Sequence, residues 1–155
     1  EELTAFCQII NITGPNKQVN QSLLDNYQSY EFLEHDKLLA LMSRADLVIS
    51  RAGLGVLTEL SNLAKPTILI PLPDSHQEDN AALWLSQEAA AVLKNGDLTP
   101  DKLVETVKEI LSNEALRNHL SQNIKAILPA GATEALKLII ISLVENSPRN
   151  NSPRN

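Results

Sequence analysis

Residues 45–80, ADLVISRAGLGVLTELSNLAKPTILIPLPDSHQEDN, decide how the rest of the chain is read. An apolar strand over residues 46–50 runs into a turn bearing Gly53 and Gly55, and a helix over 55–64 follows with a single carboxylate, Glu59. Pro66 ends that helix before a second apolar strand over 67–70, which breaks into a polar loop holding His76, Gln77 and Asn80. Strand, helix and strand in this order form the unit of a parallel sheet. In open α/β sheets the ligand crevice lies beyond the carboxyl ends of the strands, so the turn and the loop belong to one place.

Outward from this stretch the same alternation continues. FCQIINI at 6–12 is a short apolar run closed by Thr13-Gly14-Pro15, and QSYEFL at 28–33 is a second strand. Residues 35–45 place Leu38, Leu39, Leu41 and Met42 at helical spacing. Beyond the loop, residues 79–87 predict a helix and 89–93 a short strand. Thr99-Pro100 is a strong helix start, because Thr caps and Pro is preorganised for the first helical position. Two more helices are expected, at 114–128 and 133–144, split by Pro129-Ala130-Gly131. The fold class is therefore α/β, a Rossmann-like parallel sheet flanked by helices, occupying residues 1–145. Residues 146–155 are NSPRN written twice, and this duplicated tail has nothing apolar to bury, so disorder is expected.

Composition narrows the function. With 155 residues and 43% hydrophobic content the chain can bury one sizeable core. A net charge of −6 with scattered Lys and Arg argues against nucleic acid, whose phosphates require clustered positive charge. Cys7 is the sole cysteine, which excludes an internal disulfide, fits a reducing compartment and is expected to serve as core packing. LKLIIISLV at 136–144 is far shorter than the roughly 20 residues that span a bilayer, and the start shows no signal peptide, so the chain reads as soluble.

Ser50-Arg51-Ala52-Gly53-Leu54-Gly55 carries the chemistry. Between a strand and a helix, the amides of Gly53, Leu54 and Gly55 can face an anion on the helix N-terminus, where the helix dipole adds to the attraction. The glycines permit positive φ and close approach, and Arg51 offers a full charge nearby. Two glycines at such a turn also serve structure alone. Glu59, four residues after Gly55, lies one helical turn inside, suited to accept hydrogen bonds from a ribose diol or to stand solvated. His76, Gln77 and Asn80 suit a polyhydroxylated ligand, and equally a solvated loop with a helix cap. His76, Asp74 and Asp79 lack a second histidine at ligand spacing, so no metal is expected.

In their order these motifs resemble the carboxyl-terminal, donor-binding domain of the MurG-like two-domain glycosyltransferases. ADLVIS, RAGLGVLTEL, KPTILIPLP and HQEDNA stand where that family has a strand, a Gly-x-Gly-type turn with a helix glutamate, a second strand and a His-Gln-x-x-Asn-Ala loop. YEFLEHDKL resembles its uracil loop, and LTPDKL also has a counterpart.

The resemblance implies one half of a GT-B type enzyme whose donor is UDP-N-acetylglucosamine. Gly53, Leu54 and Gly55, with Arg51 beside them, would meet the pyrophosphate; Glu59 would hold the ribose; Phe32 and Leu33 would flank the base; and His76, Gln77 and Asn80 would face the sugar. It implies an inverting displacement onto a lipid-linked peptidoglycan precursor without a metal or other cofactor, in the cytoplasm at the inner face of the plasma membrane. Val56 departs from the family, which places Thr or Ser three residues before the glutamate. The family's first strand, with its glycine-rich loop, and its acceptor domain would lie upstream of Glu1, so a missing amino-terminal domain or partner subunit would complete the cleft and supply the base. Three other readings stand beside this one: a non-catalytic interaction module, a subunit of a split transferase using another UDP-sugar, and a nucleotide-sugar epimerase.

Overall fold

The computed structural model describes residues 2–17 and 25–127. The expected helix at 133–144, the break at 129–131 and the duplicated tail lie outside the described residues.

A short 3-10 turn at Leu3–Ala5 leads into β1 (Ile9–Ile12), followed by β2 (Tyr27–Tyr30), α1 (His35–Arg44), β3 (Val48–Ser50), α2 (Leu54–Leu63) and β4 (Thr67–Leu69). α3 (His76–Ser86), β5 (Ala91–Val92), α4 (Pro100–Ser112) and α5 (Glu114–Ile127) complete the described chain. Every strand pairing is parallel, as the alternation of strands and helices requires. The pairings form two groups, β1 with β2 and β3-β4-β5, with no ladder joining them among the described residues. Ile9 lies opposite Tyr27 in the first, and Ser50 opposite Leu69 in the second.

β4 is the centre of the molecule. Thr67, Ile68 and Leu69 are all buried, and successive side chains point to opposite faces, so each joins a different layer. Leu69 packs with Met42, Leu57, Leu60, Trp84 and Ile124, which draws α1, α2, α3 and α5 onto one core. Ile68 packs with Leu93, Val107, Ile110 and Leu120, so α4, together with α5, closes the other. Helices on both faces are what a sheet strand with no polar side needs. Ser61, buried on α2, donates to the Ile124 carbonyl at 2.6 Å and locks α2 to α5.

Three local readings change. α2 ends at Leu63, before Pro66 can act, because Ala64 takes a left-handed conformation (φ 51°) and its N–H and that of Lys65 turn back to the last helical carbonyls. α3 begins at His76, three residues earlier than periodicity suggested, because Ser75 caps it by accepting from the Gln77 N–H. Cys7 is half-buried rather than core, its thiol donating to the Leu3 carbonyl, and burial pushes the thiol's pKa up from its ordinary value. The Thr99 cap is as expected, accepting from Lys102 with Pro100 at the first turn.

Candidate functional site at the carboxyl ends of β3 and β4

Since β3 and β4 run in register, both chains leave the sheet at the same end. Ser50 faces Leu69, and the Ile70 N–H donates to the Ser50 carbonyl at 2.9 Å, which brings the 51–53 turn beside the 70–75 loop. Two side chains then tie turn to loop. Arg51 donates through Nη1 to the carbonyls of Ile70 (3.1 Å) and Pro71 (3.2 Å), and Asn80 donates through Nδ2 to the Ala52 carbonyl (2.9 Å). The guanidinium expected to offer its charge to an anion is thus anchored on main-chain carbonyls, although Arg51 remains exposed.

The N-terminus of α2 is built differently from those of α3, α4 and α5. Ser75, Thr99 and Asn113 each place a side-chain oxygen on an N–H of the helix they precede. Gly53 precedes α2 and has no side chain to do so. The first main-chain bond of α2 runs from Leu57 N–H to the Gly53 carbonyl, so the N–H groups of Leu54, Gly55 and Val56 have no partner among the described residues. α1, preceded by Glu34, shares the lack of a side-chain cap.

Neither glycine uses positive φ. Gly53 is extended (φ −73°, ψ 142°) and Gly55 lies within the helix, so conformational need does not account for them. A Cβ at either would meet nothing within 4 Å. What glycine provides here is open space in front of the helix terminus.

Glu59 stands one turn further along α2, its side chain 25% exposed and 3.6 Å from Nδ1 of His35 on α1. Phe32, 76% exposed, and the half-buried Leu33 precede α1 at the carboxyl end of β2. Val56 packs against the core. Thr58 turns its hydroxyl to the Leu54 carbonyl.

His76 and Gln77 were expected in the loop before a helix at 79–87 and instead form the first turn of α3, one turn ahead of Asn80. The loop is short and self-bonded: Ser75 donates to the Leu72 carbonyl, Gln77 Oε1 accepts from Leu72 N–H, and Glu78 accepts from Asp74 N–H, where Asp74 has φ 54°. These bonds leave Nε2 of Gln77 and Oδ1 of Asn80 without a partner among the described residues. The Ser75-x-x-Glu78 spacing is the sequence signal that would have placed this helix start correctly.

Of the ten residues singled out in the sequence, the structure gathers Arg51, Gly53, Leu54, Gly55, Gln77 and Asn80 around the two strand ends, and His76 opens the same helix as Gln77. Glu59 follows on α2, with Phe32 and Leu33 reached through α1. His35 was not singled out, because its neighbour Glu59 is distant in sequence. One surface recess of about 490 Å³ includes Glu2 and runs along Asp101, Glu105 and Lys108 of α4, and one of about 200 Å³ borders the site's loop between Pro71, Ala81, Leu85 and Val92. Neither includes the glycine turn, which is open on its outer side. Among the described residues no group of three His, Cys, Asp or Glu side chains is placed to hold a metal, and no helix is long and apolar enough to cross a membrane.

Parallel strands covered by helices, with a glycine-led helix terminus at their carboxyl ends, define a Rossmann-like α/β domain. Residues 1–139 match the family model of the Glycosyltransferase family 28 C-terminal domain, and the chain belongs to that family. Among curated relatives, the UDP-N-acetylglucosamine--N-acetylmuramyl-(pentapeptide) pyrophosphoryl-undecaprenol N-acetylglucosamine transferase of Trichodesmium erythraeum (strain IMS101) is 44% identical over 108 residues, which are 68% of this chain and 29% of the relative. The protein of the same name from Nostoc sp. (strain PCC 7120 / SAG 25.82 / UTEX 2576) is 33% identical over 144 residues, 91% of this chain and 40% of its own length. The chain therefore spans well under half the length of these relatives.

Among solved structures, Acinetobacter baumannii MurG superposes with a TM-score of 0.63 at 25% identity, covering 75% of this chain and 33% of that one. The kitacinnamycin glycotransferase shares the fold, with a TM-score of 0.72 at 22% identity, covering 90% and 37%. The architecture is that of one half of a GT-B glycosyltransferase.

Proposed function

We propose that this chain is the donor-binding part of an inverting transferase that moves N-acetylglucosamine from UDP-N-acetylglucosamine to a lipid-linked peptidoglycan precursor. The observation that carries the reading is the N-terminus of α2: three unclaimed N–H groups, two glycines with open space before them, and a carboxylate one turn along the same helix. A diphosphate fits the first, a ribose diol the last. The names of the relatives supply the sugar and the acceptor.

In this reading UDP leaves as the acceptor hydroxyl attacks the anomeric carbon, and the amides of Leu54, Gly55 and Val56 stabilise the charge gathering on the departing diphosphate. Phe32 and Leu33 border the base. Gln77 and Asn80 present their remaining amide atoms to sugar hydroxyls, with His76 beside them. Arg51 acts indirectly, by fixing the loop after β4. No metal or other cofactor is assigned. The acceptor site and the base for its hydroxyl belong to a further domain or partner subunit, and the complete enzyme works peripherally at the inner face of the plasma membrane.

Titration calorimetry with UDP and UDP-N-acetylglucosamine tests this. Glu59→Ala is expected to weaken both ligands by roughly tenfold, as loss of a charged hydrogen-bond partner does. Asn80→Ala is expected to reduce the preference for the N-acetylated sugar more than the affinity for UDP. If both variants bind like the parent, the site assignment is wrong.

A second reading rests on Val56, whose side chain packs inward where the family has a hydroxyl. It makes the chain a non-catalytic module that keeps the fold. Amide spectra separate the two, since such a module shows no UDP-dependent shifts at residues 51–59.

A further inference from the structure

His35 opens α1, at the end of the segment that carries Phe32 and Leu33, and its Nδ1 lies 3.6 Å from Oε1 of Glu59 on α2. That separation is an ion-pair contact rather than a hydrogen bond. It is unequal in exposure: the imidazole is 64% exposed and the carboxylate 25%. Glu59 is the sole charged side chain of α2, and its other oxygen has no partner among the described residues.

Other charged groups stand on α1 and in the turn before α2. On α1, Lys37 pairs with Glu34 at 3.7 Å, Asp36 lies in the first turn and Arg44 in the last. Arg51, in the turn before α2, has its Nη1 on the Ile70 and Pro71 carbonyls. Among the described residues His35 alone is within ion-pair distance of Glu59.

A half-exposed carboxylate on a helix has several rotamers, and only some point a free oxygen at a ligand on the helix N-terminal side. A cation that holds one oxygen selects among them and leaves the other available. We propose that His35 is a positioning residue, which fixes the Glu59 carboxylate for a nucleotide's ribose and makes ribose selectivity depend on the charge of its imidazole. This rests on the donor-site reading above. It also joins the two ends of a nucleoside, because His35 continues the segment assigned to the base while touching the group assigned to the sugar.

The test is calorimetric titration of the full 155-residue chain with UDP and with 2′-deoxy-UDP, at about pH 6 and about pH 8, between which imidazoles change charge. The readout is the ratio of the two affinities, in which protonation of the diphosphate cancels. The parent is expected to favour UDP, by about two- to fivefold more at the lower pH, the range of a partly exposed ion pair. His35→Ala is expected to remove that pH-dependent part, and to weaken deoxy-UDP, which keeps only the 3′-hydroxyl for Glu59, less than it weakens UDP. His35→Lys, a fixed cation, is expected to restore the preference at both pH values.

An unchanged ratio and pH profile in His35→Ala, or tighter UDP binding, overturns the proposal. Glu59→Gln separates the two levels of argument. If it lowers the ratio and His35→Ala does not, only the positioning role fails; if it leaves the ratio unchanged while UDP still binds, Glu59 is not the ribose group and both fail. Absence of UDP binding to the parent removes the donor reading itself.

Discussion

The β1–β2 pair and the β3–β4–β5 group each contain a predominantly apolar strand, β1 and β4, yet these two strands meet different surroundings. In β4 every side chain is buried, between α4 and one side of α5 on one face and α1, α2, α3 and the other side of α5 on the other. In β1, Ile10 and Ile12 remain 42% and 41% exposed, although the two share one face of the strand and make that face wholly apolar. β3 stands between the two cases, with Val48 packed and Ile49 exposed. Composition makes a strand suitable for burial. What covers it decides whether burial occurs.

The candidate site belongs to the well-covered region, and this is physically apt. A helix terminus can hold three N–H groups toward a ligand only if the helix cannot shift, and α2 is fixed by Leu57 and Leu60 below and by Ser61 against α5. The largest effect expected from the comparison follows. Leu60→Ala should lower unfolding free energy by about 2–5 kcal/mol, the usual cost of a leucine-sized cavity in a closed core. Urea denaturation measures it, and a loss below about 1 kcal/mol would show that α2 is less firmly held than its packing suggests.

The order of elements in this region was legible because apolar strands and turn residues alternate with little ambiguity between residues 46 and 70. The start of α3 was not. Asp74 to Asp79 carries no apolar residue, so hydrophobic periodicity is silent there, and the helix is specified by Ser75 and Glu78 instead. The split of the sheet was equally hidden, since strand composition says nothing of which neighbours cover an edge. The placement of Gly53 and Gly55 at the start of α2, with Glu59 one turn along it, was readable from spacing. The use of Arg51 as a staple and the His35–Glu59 contact depend on segments about 20 residues apart in sequence. Such contacts exist only once the fold has formed.

A middle-sized effect separates fold from function at one atom. Gly55 lies in the first turn of α2 with open space around it, and a glycine there costs the helix up to about 1 kcal/mol relative to alanine. Gly55→Ala is therefore expected to raise stability by about 0.5–1 kcal/mol while weakening UDP, because the new methyl group occupies the ligand's approach. Thermal unfolding and UDP titration on the same sample give both numbers. If the substitution destabilises, the space before the helix is filled by the protein itself and the turn has no room for a diphosphate.

The smallest effect tests the poorly covered region. Ile10 sits on β1 with much of its side chain in contact with water, so Ile10→Thr keeps the β-branched shape and the strand preference and removes little buried surface. The expected change is within about 0.5 kcal/mol, as for surface substitutions generally. Hydrogen exchange adds a second reading, with the amides of β1 expected to exchange faster than those of Ile68 and Leu69 in β4. A cost near that of Leu60→Ala, together with slow exchange in β1, would mean that Ile10 and Ile12 are covered in solution. The contrast between the two groups of strands would then lie in what the described residues include, and the apolar face of β1 would be as much a part of the core as β4.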